Sequence, residues 1–175
     1  ADLAACCRSV RSHGRRNGEL YFAFDRPGFN SKMNDLEAAI GLDGLEQFDA
    51  AFARRRAIVA ALRAQLSRWQ DRVLLPMEEA HEVVSPHAFP LVLRDPNASV
   101  APLYAHLEAA GIQCKTLFGS LPTQHGAFRF LNYTAGTFPV AERLHTTGLH
   151  FGVHQYLTDE DVAHVIDTLD GWFGA

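Results

Sequence analysis

The sequence predicts an α/β fold, more narrowly α+β, in which long N-terminal helices lead into a small C-terminal sheet-and-helix domain. Three features predict it. Apolar residues recur at helical spacing between Asn34 and Leu66. After residue 85, short apolar or alternating runs are separated by helical stretches, in the order strand, helix, strand, helix, strand, helix. Two helix starts carry reciprocal side-chain caps, Asn34 with Glu37 and Thr158 with Asp161. The pattern divides the chain into connecting helices over residues 1–75 and a small α/β domain over residues 76–175, with helices on one face of a small sheet.

Residues 2–12 read as a short helix, with Asp2 as N-cap and Leu3, Cys6, Cys7 and Val10 on one side. Gly14 is placed to end it. "GRRNGELYFAFDRPGFN" is a loop punctuated by Gly14, Gly18, Pro27 and Gly28, with a short extended piece at Leu20 to Phe24. A helix starts at Asn34 with Leu36, Ala39 and Ile40 as its stripe; Gly41 and Gly44 mark a bend or a close packing. A longer helix carries Leu45, Phe48, Phe52, Val59, Leu62 and Leu66 and ends near Trp69.

"HAFPLVLRD", residues 87–95, is an apolar strand. Residues 99–111 form a helix with Ser99 as cap and Gly111 as stop. "IQCKTLF" alternates and reads as a second strand, "FPVAERLHTTG" as a short helix and "LHFGVH" as a third strand. Residues 158–173 form the last helix, with Val162, Val165, Ile166, Leu169 and Phe173 on its apolar face.

With 175 residues, 47% of them hydrophobic, the chain is long enough for one domain with a core. Its net charge of -4 argues against a dedicated nucleic-acid binder. Arg54, Arg55 and Arg56 point in different directions on a helix, so they read as a solvated, partly paired face. Cys6, Cys7 and Cys114 are odd in number and do not form a disulfide framework, which favours a reducing, cytoplasmic setting. There is no apolar run long enough for a membrane span and no signal-peptide plan; the chain lacks an initiator Met and is expected to begin inside a longer protein.

Nine histidines invite a metal reading, with His145, His150 and His154 close in sequence. No His-Glu-x-x-His or Cys-x-x-Cys spacing is present, so no metal site is expected. There is no Gly-x-Ser-x-Gly elbow and no phosphate-loop motif. Cys114, inside an apolar strand, reads as a buried thiol. Lys32 and Lys115 are the only lysines. Lys32 follows the Gly-rich loop that holds Asn30 and could reach a phosphate. Lys115 runs into "LFGSLPTQHGAF", whose Gly119, Ser120, Thr123 and Gln124 suit a polar substrate.

"GFNSKMNDLEAAIGLDGLEQFDAAFARRRAIVAAL" resembles a segment of the DegT/DnrJ/StrS-type family of pyridoxal-phosphate sugar aminotransferases. The family pattern is Gly-Tyr-Asn-x-Arg/Lys-Met followed by Ala-Ala-x-Gly. Gly28, Asn30, Lys32, Met33, Ala38, Ala39 and Gly41 match it, and Phe29 stands for Tyr. "RSVRSHG" resembles the family's Leu-Arg-x-His-Gly stretch, "AAGIQCKTLF" its Gly-Ile-x-x-Arg element, and "FPVAERLHTTGLHFGVHQYLTDEDVAHVI" its closing block.

The resemblance implies a longer, fold-type I enzyme, cytoplasmic and homodimeric, of which this chain is the C-terminal portion. It implies pyridoxal 5'-phosphate as cofactor, cycling through pyridoxamine 5'-phosphate, with a nucleotide sugar and an amino-acid amine donor as substrates. The Schiff-base lysine would lie upstream, so no catalytic residue is expected in this chain, and alone it would be inactive. Asn30 matches a residue that reaches the cofactor phosphate of the partner subunit. Lys32, Lys115, Phe118, Ser120, His154 and Tyr156 match positions near the substrate. Leu117 replaces a His that many family aminotransferases carry, and this loop is similar to that of the family's pyridoxamine-phosphate 3-dehydratases. A dehydratase is therefore one rival; the other is a non-catalytic assembly module that uses the helix at 45–66 as a partner face.

Overall fold

The computed structural model describes residues 2–16, 23–117 and 125–174. The chain separates into two compact units, Ala1–Phe48 and Asp49–Ala175.

The first unit holds α1 (Asp2–Val10) and α2 (Asp35–Glu46). Between them, residues 12–16 and 24–31 run side by side. His13 N–H donates to Phe29 O at 2.8 Å, Phe29 N–H to Val10 O at 2.7 Å, and Ser31 N–H to Arg11 O at 2.8 Å. Two glycines allow this approach. Gly14 has φ +79°, and a Cβ there would overlap the Arg26 carbonyl oxygen. A Cβ on Gly28 would overlap the Gly14 nitrogen. The expected extended piece at Leu20 to Phe24 lies mostly outside the described residues; its last residue, Phe24, pairs with Arg15 in an isolated bridge. α2 starts on the expected capping box: Glu37 N–H donates to Asn34 Oδ1, and Asn34 N–H to Glu37 Oε2, each at 2.9 Å. Gly41 and Gly44 leave α2 unbroken; the helix stops at Gln47. No α2 residue is buried.

The second unit begins one residue into α3 (Phe48–Leu66), which continues as a 3-10 turn to Trp69, as the periodicity predicts. Among the described residues four strands follow: β1 (Val73–Leu74), β2 (Ala88–Leu93), β3 (Cys114–Thr116) and β4 (Gly148–Gly152). They pair antiparallel in the order β1-β2-β4-β3. The helices are α4 (Ala101–Ala109), α5 (Pro139–Thr147) and α6 (Asp159–Gly174). β1 is absent from the sequence expectation, because two residues carry no readable period. It covers only Val92 and Leu93 of β2. Pro90 therefore sits where β2 is an edge on that side, a place that tolerates a residue with no N–H.

The register sorts the side chains. Phe89, Phe151 and Cys114 lie abreast, as do Leu91, Leu149 and Thr116. Phe89, Leu91, Cys114, Leu149 and Phe151 join Ile58, Leu62 and Leu66 of α3, Leu103 and Leu107 of α4, and Val162, Leu169 and Phe173 of α6 in one core. Burying each such side chain contributes roughly 1.5–3 kcal/mol. α3 thus packs with the sheet. Its buried residues are Ile58, Leu62 and Leu66, while Leu45 and Phe48, at the start of the 45–66 span, stay exposed.

Helix ends are closed by local bonds. At the end of α4, Ile112 N–H donates to Leu107 O at 2.9 Å and Gly111 N–H to Glu108 O at 3.0 Å, with Gly111 at φ +79°. This is a Schellman closure, and it stops the helix where Gly111 predicted. Thr158 and Asp161 cap α6: Thr158 N–H donates to Asp161 Oδ2 at 2.8 Å, and Asp161 N–H to Thr158 Oγ1 at 3.1 Å. Trp69 Nε1 donates to Asp170 Oδ1 at 2.6 Å, which ties the far end of α6 to the turn after α3.

Candidate functional site

The arginine triplet of α3 was expected as a solvated, partly paired face. The structure bears out the pairing and corrects the solvation: all three are partly buried and tie α3 to loops. Arg54 donates to Leu157 O at 2.6 Å and pairs with Asp159 at 2.9 Å. Arg55 forks onto Gln155 Oε1 at 2.9 and 2.7 Å. Arg56 pairs with Glu78 at 2.8 Å and donates to Val84 O. Their sequence adjacency lets one helix turn anchor the 155–159 turn and the 78–86 segment. Gln155 is consequently a structural acceptor.

The same segments frame the open face of the sheet. Alternation along β2, β3 and β4 turns Ala88, Pro90, Lys115, His150 and Gly152 away from the core. Lys115 lies opposite His150 in the β3–β4 register, and Pro90 opposite His150 in the β2–β4 register. His87, at the entry to β2, places its ring 6.2 Å from that of His150. A hollow of about 260 Å³ lies over His87, Lys115 and His150. Beside it, an apolar trough of about 410 Å³ runs over Val59, Pro76, Val84, Pro90 and Leu117 and shares both histidines. Leu117 closes over Gly148, where a Cβ would collide with its Cδ1. Burial, then the neighbouring His87 and Lys115, hold the His150 pKa below its ordinary 6.5.

Cys114 faces the core, as expected, and its pKa is pushed up to about 11, first by burial and then by the Glu108 carboxylate. It is a packed thiol. Among the described residues, no three His, Cys, Asp or Glu side chains gather as metal ligands would. No described helix is long and apolar enough to cross a membrane.

The expected site residues fall in three places. Asn30 and Lys32 are exposed in the first unit, on the extended run that leads into α2. Asn30 is held by a bridge to Ser12, and among the described residues neither side chain is hydrogen bonded. The glycines of this loop serve the crossing of two backbone segments. Lys115 stands on the open sheet face. His154 and Tyr156 are exposed on the turn between β4 and α6, rings 5.0 Å apart, with Tyr156 N–H directed at His154 Nδ1 at 3.4 Å. A hollow lined by His154 borders that of Lys115 across Gln113, Phe151 and Gly152. Phe118 and Ser120 lie outside the described residues. Sequence reasoning named His150 only as a metal candidate and passed over His87. The period-2 pattern of "LHFGVH", with His150 between two core residues, is the signal that places it on the open face.

The comparisons with known proteins agree with this geometry. The family model described as "DegT/DnrJ/EryC1/StrS aminotransferase family" matches residues 1–170. The chain is 28% identical over 173 residues to the GDP-perosamine synthase of Caulobacter vibrioides, covering 97% of this chain and 45% of that protein. It is 29% identical over 150 residues to the dTDP-4-dehydro-2,6-dideoxy-D-glucose 3-dehydratase of Saccharopolyspora spinosa, covering 85% of this chain and 32% of the relative. The solved DegT DnrJ EryC1 StrS aminotransferase of Brucella abortus superposes with a TM-score of 0.80 at 26% identity, over 100% of this chain and 44% of that one. A putative sugar aminotransferase of Streptococcus pneumoniae, Spr1654, solved in its PLP form, shares the fold with a TM-score of 0.78 at 22% identity, over 95% of this chain and 42% of that one. The chain spans less than half the length of each of these proteins. A family match that runs from the first residue almost to the last, on a fold shared with solved family members, identifies the chain as a member of the DegT/DnrJ/EryC1/StrS aminotransferase family.

Proposed function

We propose that these 175 residues are the C-terminal part of a cytoplasmic, homodimeric, pyridoxal 5'-phosphate-dependent aminotransferase that moves an amine from an amino acid to a keto-sugar nucleotide. The observation that carries the reading is the family match over residues 1–170. Within the chain, Asn30 and Lys32 fit the cofactor phosphate: an amide donor and a cation, both exposed and free of hydrogen bonds among the described residues. Bound in the whole enzyme, the cofactor supplies an electron sink. This chain's part is to hold the phosphate through Asn30 and to orient the substrate through Lys32, Lys115, His154 and Tyr156.

The surface of α2 supports a larger assembly. Leu36, Ile40, Leu42 and Leu45 are each more than 60% exposed. At 100° per residue, Leu36, Ala39 and Ile40 fall on one side and Ala38, Leu42 and Leu45 on the other. A helix that is apolar on two sides fits a place between two covers. The rest of the enzyme and a second subunit would provide them.

A second reading, removal of a sugar hydroxyl, is favoured by Leu117 and by the likeness to a 3-dehydratase. The test is the reading frame upstream of Ala1, expressed with this chain and incubated with glutamate and a keto-sugar nucleotide. A Ser-x-x-Lys segment and an aminated sugar, followed by mass spectrometry, are the expected result. A His in place of that lysine, with loss of the hydroxyl, moves the reading to the dehydratase. An unrelated upstream domain, with neither reaction, sinks both. The 175-residue chain alone is expected to transaminate nothing.

A further inference from the structure

We propose that the open face of the sheet in the second unit binds the phosphate group of an organic phosphate, held by Lys115, His150 and His87, with the apolar part of the ligand in the adjoining trough. The cluster runs against the composition of the chain, which carries 20 acidic and 16 basic side chains. Here three nitrogen bases meet, and no carboxylate is among the residues that line either hollow. One of them is one of only two lysines in the chain.

The geometry is fixed by the strands. Lys115 and His150 are cross-strand partners, and His87 faces His150 at 6.2 Å between ring centroids. None of the three side chains has a hydrogen-bond partner among the described residues. Structural histidines elsewhere in the chain do have one: His106 Nε2 meets Thr168 O at 3.1 Å, and His164 Nε2 meets Ala110 O at 2.9 Å. Ala88 and Gly152, opposite each other at the rim, keep the hollow open, since a Cβ at Gly152 would meet nothing within 4 Å. Pro90 and Leu117 continue the surface as an apolar wall. The arrangement suits an anion on a flat, partly apolar molecule.

The groups facing His150 are His87 from the entry to β2 and Lys115 from β3; α3 and the segment before β2 present Val59, Pro76 and Val84, which are uncharged. Anion binding therefore favours the protonated His150 imidazole, and affinity rises as pH falls below its ordinary 6.5. The assignment of the anion to a substrate diphosphate rests on the proposed function. Anion binding itself does not.

The test is titration of the 175-residue chain with inorganic pyrophosphate at low ionic strength, read on the histidine ring protons by NMR. The His87 and His150 signals should move together and saturate, while those of His106 and His164 stay. Lys115→Gln and His150→Asn should each weaken binding about tenfold with an unchanged amide spectrum, and Arg8→Gln, in the other unit, should change nothing. A nucleoside diphosphate that binds more tightly than pyrophosphate assigns the trough to a nucleotide; pyridoxine 5'-phosphate outcompeting both assigns it to the cofactor class. Unsaturable shifts of all histidines alike, or no effect of Lys115→Gln, overturn the proposal. Neither result touches the amination assay, so the two readings fail separately.

Discussion

The two units hold their shape by different means. Among its described residues, the second buries eighteen hydrophobic ones, most of them in one core around four strands. Among the described residues of the first, only Ser9 and Gly14 are buried, and no α2 residue is. Its shape rests on backbone pairing across two glycines and on one capping box. The second unit gathers its strand and helix residues into a core, although Met77, Val83, Phe130 and Val140 stay exposed. The first presents Phe29, Met33, Leu36, Ile40, Leu42 and Leu45 to water. Exposed apolar surface on this scale is what a chain shows where something else belongs. The proposed phosphate-binding Asn30 lies beside that surface in sequence, which fits a site completed by other polypeptide.

The largest test of the contrast is a cavity in the sheet unit. Leu103, fully buried between α4 and the sheet, should cost roughly 2–5 kcal/mol on truncation to Ala, read by urea unfolding. Next is Gly14→Ala. Its φ of +79° and the overlap with Arg26 O should break the pairing of residues 12–16 with 24–31, at about 1–3 kcal/mol. The loss should show as fast amide exchange at His13 and Phe29, with the sheet amides unchanged. A smaller effect comes from pH. The His150 pKa is lowered in the folded chain, first by burial, then by His87 and Lys115. The unfolded chain therefore takes up the proton first, so this contribution to stability is full above 6.5 and is lost as pH falls below it. His150→Gln should flatten that part of the stability profile. Smallest of all is Ile40→Ala on α2, expected within about 0.5 kcal/mol in this chain because Ile40 is already solvated. A loss of several kcal/mol there would erase the contrast between the units.

Much of the second unit was legible in the sequence because its signals are local and agree with one another. α6 shows its cap at Thr158 and Asp161 and its buried stripe at Val162, Leu169 and Phe173. α4 ends on Gly111 because only a positive φ closes the Schellman turn. What failed to read were features defined by distant partners. β1 is a two-residue edge whose identity comes from Leu93 and Val92. The arginine triplet looked solvated because its acceptors, Gln155 and Leu157 among them, lie about a hundred residues away. His87 and His150 form a pair only once β2 and β4 are in register. The family motifs single out Asn30 and Lys115 as expectations, but only the strand register puts Lys115 against His150.

Amide hydrogen exchange of α2 tests the central contrast most directly, measured in the 175-residue chain alone and in the same chain expressed with its upstream sequence. The amides of β2 and β4 should be protected in both. Those of residues 38–46 should exchange within the fast, locally opening class in the isolated chain and become as slow as the sheet in the longer protein. Equal protection of α2 in both would contradict the claim that the first unit is half of a larger interface.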